Sequence, residues 1–319
     1  MKNIALVYGG FSKEAEISEK SAYQAKNALA KSAYNIYPIF ISKEKWVYRN
    51  DSGTEFPVDK NDFSILVDGK KINFDKALNL IHGAPGENGV LGSYFSLIGL
   101  PYTSSGVLTS ALTMNKNWTN RFLKESGITV PSSFVVYRGD ESSEYLPKAK
   151  YPCFVKPNNG GSSVGTSKAR SEEELIKALE IAFQHDDEII VEEFIQGREF
   201  TCGVMGFDGT IKALPMTEVK PKHDFFDFAD KYGDDGALEE TPANLPEELT
   251  KKCQAIAVKA FKTLRCRNVS RIDFILKDNE FYLIEVNTIP GMSAKSILPQ
   301  QAKAIGISFE ELLIKIIEG

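Results

Sequence analysis

The sequence predicts a mixed α/β and α+β protein, with an open parallel sheet followed by two further lobes. Three observations predict this fold. The chain opens as strand, helix and strand; residues 153–165 combine a lysine-bearing strand with a Gly/Ser-rich loop; and residues 269–287 form an apolar hairpin with a polar face. A strand–helix–strand opening is typical of parallel sheets. The 319 residues have room for two or three units, which we place at residues 1–104, 105–195 and 196–319.

Composition excludes several classes of protein. A hydrophobic content of 42% is typical of globular proteins, and a net charge of −5 argues against a nucleic-acid partner. Four scattered cysteines without a C-x-x-C pair indicate reduced, mostly buried thiols. The first residues do not form a signal peptide, and no stretch approaches the ~18 apolar residues of a membrane helix. We therefore expect a cytoplasmic protein without a membrane partner.

The N-terminal unit offers three polar candidates at the ends of strands. Residues 3–8 form a short apolar strand, Glu14 lies in the loop that follows, and a helix and a strand over residues 36–42 come next. Residues 77–81 form another buried strand, followed by a glycine-rich loop with His82 and Glu87. Functional crevices of open parallel sheets lie at the carboxyl ends of the strands. Alternatively, Glu14 is a favourable charge at a helix start, and His82 is structural.

The central unit combines a lysine with a loop suited to an anion. A helix predicted over residues 107–126 contains Lys116, and Lys156 lies near the end of strand 153–157. The loop Asn158–Gly165, which includes Ser162 and Ser163, can direct backbone N–H groups and hydroxyls at a phosphate. Lys156 precedes this loop, so it is not a Walker A motif. The pattern indicates a phosphate lid; the alternative is a flexible hairpin tip.

An acidic strand end follows at residues 188–195. Glu192 and Glu193 could accept hydrogen bonds from an adenine amine or a ribose, and Phe194 and Ile195 could enclose the base. A linker with solvated acidic side chains is the alternative. Further on, residues 221–242 show no periodicity, which is typical of a closing loop; Lys231 and Tyr232 lie within it.

The hairpin over residues 269–287 carries three oxygen ligands. Glu285 and Asn287 share one strand face, as do Arg271 and Asp273, because side chains alternate along a strand. A three-residue loop would place Asp273 opposite Glu285. Buried carboxylates are costly unless they are paired or bound to a metal, and hard oxygen ligands suit Mg²⁺. A solvated amphipathic strand is the alternative.

Six ordered motifs resemble those of the D-alanine–D-alanine ligase family, within the ATP-grasp superfamily, across essentially the full chain. They are GGFSKEAEIS at residues 9–18, HGAPGENG at 82–89, LPYTSSG at 100–106, KPNNGGSSVG at 156–165, DFFDFADKY at 224–232, and RIDF with IEVNTIPGMS between 271 and 293. The resemblance implies two ATP-grasp lobes with ATP between them, and ligation of two D-alanines through an acyl phosphate for peptidoglycan precursor synthesis.

The same resemblance implies roles for individual residues. Catalytic roles fall to Glu14, Ser162, Tyr232, Arg271 and Gly291, and substrate binding falls to His82, Glu87 and Ser296. ATP binding falls to Lys116, Lys156, Ser163, Glu192, Glu193, Phe194, Ile195, Glu199 and Lys231. Metal binding falls to Asp273, Glu285 and Asn287, with two Mg²⁺ ions expected and Mn²⁺ as a substitute. A homodimer is the family expectation.

The chain departs from the family pattern at a few positions. Ala84-Pro85 follows the His82 loop where a polar residue is common, Ile289 replaces a small residue, and Lys295 adds a charge beside Ser296. Two other classes stay open: another ATP-grasp carboxylate–amine or D-alanine–D-lactate ligase, and a non-catalytic nucleotide-binding protein. Tyr232 resembles the dipeptide-forming type, and Arg271 beside the metal ligands argues against a pure binding protein.

Overall fold

A computed structural model describes residues 1–12, 14–220 and 237–319 of the chain. Strands and helices are numbered in chain order within these ranges. Three sheets account for the strands, and they fall in residues 2–79, 133–193 and 198–287. The unit boundaries that the sequence suggests after residues 104 and 195 stay predictions.

The first sheet contains the predicted parallel strands, and an antiparallel extension that was not predicted makes it mixed overall. Strands β1 (Lys2–Gly9), β2 (Tyr34–Ile41) and β7 (Lys76–Asn79) are parallel, and helix α1 (Ala15–Ala28) follows β1. Beyond β2, four short antiparallel strands extend the sheet: β3 (Trp46–Arg49), β4 (Glu55–Asp59), β5 (Ser64–Val67) and β6 (Lys70–Ile72). The connections within residues 42–69 are too short for parallel crossovers, which need a dozen or more residues.

The helix predicted over residues 107–126 is two helices. Helix α2 (Val90–Leu97) precedes them, and α3 (Val107–Met114) and α4 (Lys116–Glu125) are separated by Asn115. Asn115 is extended (φ −90°, ψ 104°), and its side-chain oxygen accepts a hydrogen bond from the Trp118 N–H, as an N-cap does. The break makes Lys116 the first residue of α4, where its backbone N–H donates to the Asn158 carbonyl over 3.1 Å.

The second sheet is antiparallel and stands behind the Gly/Ser loop. Its strands are β8 (Ser133–Tyr137), β9 (Cys153–Pro157), β10 (Ser167–Ala169) and β11 (Glu188–Glu193), in the order β10-β9-β11-β8. The short helix α5 (Ser142–Tyr145) and helix α6 (Glu172–Ala182) accompany it. Leu175 and Leu179 of α6 pack with Val155 and Ile189 of the strands in one buried cluster.

The third sheet carries the predicted hairpin. Its strands are β12 (Arg198–Phe207), β13 (Thr210–Ala213), β14 (Thr217–Lys220), β15 (Leu238–Glu240), β16 (Asn268–Lys277) and β17 (Glu280–Asn287). Helix α7 (Glu247–Thr263) covers it through Cys253, Ala257 and Phe261. The end of the predicted closing loop is ordered, because β15 pairs with β14. Residues 221–236, which include Lys231 and Tyr232, lie outside the described residues.

The hairpin pairs Asp273 with Glu285, as suggested, but its turn is shorter than the three-residue loop considered from the sequence. Asp278 and Asn279 form a two-residue turn with positive φ angles of 50° and 61°. Such a turn alone would place Asp273 opposite Ile284. The register shifts next to Asp273, so that Asp273 faces Glu285 across the strands. A β-bulge, rather than a three-residue loop, therefore brings the two carboxylates together.

The C-terminal helices pack against the beginning of the chain. Helices α8 (Ile297–Lys303) and α9 (Phe309–Glu318) share one core with α1 and β1, to which Leu298, Leu312, Ala22 and Ile4 contribute. Helix α9 begins at a reciprocal capping box formed by Ser308 and Glu311.

Two further expectations concern thiols and membranes. Cys153, Cys202, Cys253 and Cys266 are all free and buried, as predicted. Among the described helices, none is both long and apolar enough to cross a membrane.

The shared core predicts a stability effect at the C-terminus. Leu313 has no exposed surface, and we expect Leu313→Ala to lower the free energy of unfolding by about 2–5 kcal/mol, because it removes buried methyl groups and leaves a cavity. Urea denaturation measures this change. Lys315→Ala, on the exposed face of α9, is the control and should change it by less than about 0.5 kcal/mol. Equal effects of both substitutions would contradict this account of the core.

Candidate functional site

Two cavities meet at the hairpin. The inter-sheet cleft lies between the second and third sheets, and its lining includes Lys116, Lys156, Ser163, Glu192, Glu193, Ile195, Glu199, Arg271, Asp273 and Glu285. The N-terminal cavity opens beside α1, and its lining includes Glu14, His82, Glu87, Ser162, Arg271, Glu285, Asn287, Gly291 and Ser296. Arg271 and Glu285 line both. Most residues predicted from the sequence therefore line two adjoining cavities.

A buried ion pair lies in the wall of the inter-sheet cleft. The Lys156 ammonium on β9 lies 2.6 Å from a carboxylate oxygen of Glu192 on β11. Asn120 of α4 donates its amide to the other Glu192 oxygen over 2.9 Å. Burial lowers the pKa of Lys156, but the carboxylates around it, Glu192 above all, outweigh burial and leave the pKa above its ordinary value. The cleft thus keeps a cation available for an anionic ligand.

The Gly/Ser loop is anchored to the start of α4. The Lys116 ammonium donates to the Gly160 carbonyl, and the Asn117 N–H donates to the Asn158 side-chain oxygen over 2.9 Å. Ser162 and Ser163 both have left-handed backbones, with φ of 52° and 56°. Non-glycine residues adopt this conformation at a cost, so the surroundings must hold it in place.

Glu14 connects the first sheet to this loop. One carboxylate oxygen accepts a hydrogen bond from the Ser162 hydroxyl, and the other accepts one from Ser12 over 3.3 Å. A Cβ at Gly83 would lie 2.7 Å from Glu14, and Gly83 has a φ of +65°, so glycine is needed there for both space and conformation. The two hydroxyl groups therefore hold the Glu14 side chain in place in the N-terminal cavity.

His82 is buried and neutral in character. Its Nδ1 lies 2.8 Å from the Ile289 carbonyl, which can only accept, so Nδ1 carries the proton. Its Nε2 has no hydrogen-bond partner in the described part of the chain. Burial lowers the pKa of His82, although the charge of Glu14 opposes this shift. The imidazole thus has two different nitrogens: Nδ1 makes a structural contact, and Nε2 is an acceptor in the wall of the N-terminal cavity.

Glu87 connects the His82 loop to the end of the hairpin. One oxygen accepts hydrogen bonds from the backbone N–H groups of Thr288 and Ile289 over 3.0 and 3.1 Å, and the other accepts one from Gly83 over 3.2 Å. Burial, together with the nearby Glu14 charge, raises the pKa of Glu87 to about 7 despite these donors. The carboxylate fixes the two loops relative to each other.

The three oxygen ligands fit a hard divalent cation. Asp273 accepts hydrogen bonds from Thr201 (2.6 Å), from Arg271 through two nitrogens (2.9 and 2.8 Å) and from the Asn287 amide nitrogen (3.1 Å). The Asn287 amide oxygen accepts no hydrogen bond from a described residue, so it is available to a metal. Asp273 and Glu285 face each other across the hairpin, where a bound cation would offset the repulsion between the two like charges.

This set is small, and its composition matters. Within residues 1–12, 14–220 and 237–319, no group of three or more His, Cys, Asp or Glu side chains could hold a metal. The predicted set has only two carboxylates, and the third ligand is an amide. Sites of this kind complete the Mg²⁺ shell with water and substrate phosphates.

Gly291 and Ser296 lie side by side at the start of α8. The Ser296 hydroxyl accepts a hydrogen bond from the Ser293 N–H over 3.1 Å and lies 2.8 Å from the Ser293 hydroxyl. A Cβ at Gly291 would lie 2.9 Å from the Ser296 hydroxyl oxygen, so a side chain there would displace it. The Ala294 N–H donates to Gln24 of α1 over 2.8 Å, which holds this loop against the first unit.

The two residues that the sequence places together around a base differ in their access to the cleft. Ile195 lines both the inter-sheet cleft and an adjoining cavity, whereas Phe194 lines the adjoining cavity. The Lys168 ammonium lies 3.7 Å from the centroid of the Phe194 ring, and Phe154 meets that ring edge to face. Phe154 itself lines the cleft.

Sequence reasoning missed several contacts that support the site. Phe154, Asn120, Thr201 and Gln24 were not identified as candidates. Two of them had a signal, since Asn120 follows Lys116 by one helical turn and Thr201 shares a strand face with Glu199. The contact of Gln24 joins residues 270 positions apart, and no local pattern reveals it.

Family models cover most of the chain. The model described as "D-ala D-ala ligase N-terminus" matches residues 3–105, and the model described as "D-ala D-ala ligase C-terminus" matches residues 122–318. The chain is 48% identical to a D-alanine–D-alanine ligase of Flavobacterium johnsoniae, over 100% of this chain and 99% of that protein.

Solved structures of two ligases superimpose on nearly the whole chain. The VanG D-Ala:D-Ser ligase from Enterococcus faecalis superimposes with a TM-score of 0.89 at 34% identity, over 99% of this chain and 98% of that one. A D-alanine–D-alanine ligase from Bacillus anthracis complexed with ATP superimposes with a TM-score of 0.79 at 31% identity, over 100% and 97% of the two chains.

The surroundings of His82 predict its titration. Because burial disfavours the cation, we expect His82 to titrate below its ordinary pKa of 6.5. The unfolded chain then binds the proton more readily, so this group reduces stability as pH falls below 6.5. An NMR titration of the imidazole resonances measures the pKa, and His82→Gln assigns the signal. A value at or above 6.5 would contradict the buried neutral ring.

Proposed function

The chain belongs to the D-alanine–D-alanine ligase family, and we propose from this that it joins two D-alanine molecules to D-alanyl-D-alanine, with conversion of ATP to ADP and phosphate. The dipeptide serves peptidoglycan precursor synthesis. One observation carries the proposal: Glu14, His82, Arg271, Gly291 and Ser296 line a cavity that shares Arg271 and Glu285 with the cleft that holds the buried lysine. Two amino acids and a nucleotide would meet there.

The inter-sheet cleft is the proposed ATP site. Lys116, Lys156 and the loop with Ser163 would neutralise and enclose the phosphates, together with Lys231 outside the described residues. The adenosine would lie against the acidic strand end, with Glu192, Glu193, Phe194, Ile195 and Glu199 as the proposed contacts.

Asp273, Glu285 and Asn287 are the proposed Mg²⁺ ligands, with two ions and Mn²⁺ as a substitute. When bound, the metal would offset the negative charge of the triphosphate. Thr201 and Arg271 hold the Asp273 carboxylate in place, and Arg271 supplies a positive charge between the two cavities.

The first step is attack by a carboxylate on a phosphate, which are both anions. Glu14 would bind the ammonium of the first D-alanine and thereby direct its carboxylate toward the cleft. A bond forms between a carboxylate oxygen and the γ-phosphorus, the bond from that phosphorus to the bridging oxygen breaks, and ADP leaves. Lys116, Lys156 and Arg271 would stabilise the charge that spreads over the phosphoryl oxygens.

The second step joins the two amino acids. Ser296 would hold the carboxylate of the second D-alanine. The deprotonated amine of this D-alanine attacks the carbonyl of the acyl phosphate. Arg271 and the Gly291 backbone N–H are the proposed donors to the oxyanion, which collapses with release of phosphate. Ser162 links Glu14 to the lid, and we propose that Tyr232, outside the described residues, completes this link in the closing loop.

His82 and Glu87 would shape the substrate side of the cavity, because they position the loop that follows Asn287. We further propose that the enzyme acts in the cytoplasm, as a homodimer and without a nucleic-acid partner. A net charge of −5 is consistent with the last point. The alternative function is ligation by another ATP-grasp carboxylate–amine or D-alanine–D-lactate ligase.

Phosphate release tests the substrate directly. With ATP and Mg²⁺, we expect release to require D-alanine, because Glu14 and Ser296 would bind the two ends of that amino acid. L-Alanine, D-lactate and D-serine are run in parallel, with mass analysis of every product. D-Alanyl-D-alanine is the expected product. If phosphate is released with another acid or amine and not with D-alanine, the proposed substrate is wrong, whereas the proposed nucleotide site is unaffected.

The metal ligands predict a selective loss of turnover. We expect Glu285→Gln to reduce kcat by roughly 100-fold or more, because it removes a charged ligand from the reacting phosphates, while circular dichroism stays unchanged. Glu280→Gln, on the same strand and paired with Lys252, is the control and should retain activity within about twofold. A folded, fully active Glu285→Gln protein would refute the metal assignment.

A further inference from the structure

We propose that Asn120 is a positioning residue for nucleotide selection. By fixing the Glu192 carboxylate, it would make the inter-sheet cleft prefer a purine with a 6-amino group over a purine with a 6-oxo group. This rests on the proposed function only in taking the cleft as the nucleotide site. The identity of the amino acids does not enter it.

The Glu192 side chain is buried in an ion pair. Glu192 is 2% exposed, and its carboxylate lies 2.6 Å from the Lys156 ammonium. A buried ion pair is tolerated when further hydrogen bonds satisfy its remaining lone pairs. Asn120, itself 3% exposed, supplies such a bond to the other oxygen over 2.9 Å. Each Glu192 oxygen therefore has its own donor, and the plane of the carboxylate is fixed.

Asn120, which donates to Glu192, belongs to the same helix as Lys116, which contacts the Gly/Ser loop. Lys116 and Asn120 are one turn apart on α4, so they point from the same face. Lys116 contacts the Gly160 carbonyl, and its backbone N–H contacts the Asn158 carbonyl, both in the Gly/Ser loop. Helix α4 thus sets the distance between the phosphate lid and Glu192, and a rotation of Glu192 would uncouple them.

The oriented carboxylate can discriminate between bases. Glu192 lines the cleft and can only accept hydrogen bonds while it is ionised. A 6-amino group donates to it, whereas a 6-oxo group would bring an oxygen against a carboxylate. Sites built to pair with a donor reject analogues that lack it. Without Asn120, both Glu192 oxygens are free to turn toward Lys156, and the acceptor surface is lost.

Nucleotide binding without amino acids tests the inference. Calorimetry gives dissociation constants for Mg·ATP and Mg·GTP with the wild type, Asn120→Leu and Asn120→Ser. Leucine has a similar size and no donor, and serine is too short to reach Glu192. We expect the wild type to prefer ATP by more than tenfold. In both variants the ATP constant should rise about tenfold, the usual effect of losing a hydrogen bond to a charged group, and GTP should change less than threefold.

Arg121→Leu is the matched control, since Arg121 is the exposed neighbour on the same helix. It should leave both constants unchanged. A wild type without ATP preference would overturn the inference, as would either folded variant whose ATP-to-GTP ratio stays within twofold of wild type. A lowered melting temperature with an unchanged ratio would make Asn120 structural only. An Asn120-dependent ratio in a protein that forms no dipeptide would refute the proposed function and leave this inference.

Discussion

Buried and half-buried carboxylates impose the main constraint on this structure, because a carboxylate that loses contact with water must be given hydrogen-bond donors. Glu192 receives Lys156 and Asn120, Glu87 receives three backbone N–H groups, and Asp273 receives Arg271, Thr201 and Asn287. In each case at least one donor comes from a distant part of the chain or another strand. Satisfying these charges therefore joins the sheets at the point where the two cavities meet.

The same contacts explain why the site is assembled from all parts of the chain. Glu14 and His82 lie next to strands of the first sheet, the Gly/Ser loop follows a strand of the second, and the hairpin belongs to the third. Glu14 contacts Ser162, and His82 contacts Ile289. The first contact joins the first predicted unit to the second, and the other joins the first to the third, so the shape of the N-terminal cavity depends on how all three come together.

Local patterns predicted much of the fold and placed most candidate residues at the cavities. The lysine strand, the acidic strand end and the hairpin with Asp273 and Glu285 follow from alternation and turn residues alone. The helix break at Asn115 did not follow, because the apolar spacing continues through it and only the capping contact ends α3. The hairpin bulge is hidden for a similar reason: two-residue and three-residue turns are both compatible with the Asp-Asn sequence.

The features that the sequence did not predict depend on contacts between residues that are distant in the chain. The antiparallel extension of the first sheet depends on short connections, and the position of Phe194 outside the lining of the inter-sheet cleft depends on its packing with Phe154 and Lys168. The roles assigned to Tyr232 and Lys231 concern residues outside the described ranges. Pattern reasoning identifies which side chains carry chemistry more readily than which partners hold them.

The docking of α9 on α1 and β1 has a consequence for synthesis of the protein. The core shared by Ile4, Ala22, Leu312 and Ile316 joins the two ends of the chain. On the ribosome, the apolar side of α1 emerges first and must wait for nearly the whole chain before its cover is made. The nascent N-terminal unit therefore exposes an apolar face during most of translation, and a chain that stops before α9 lacks part of the cover for that face.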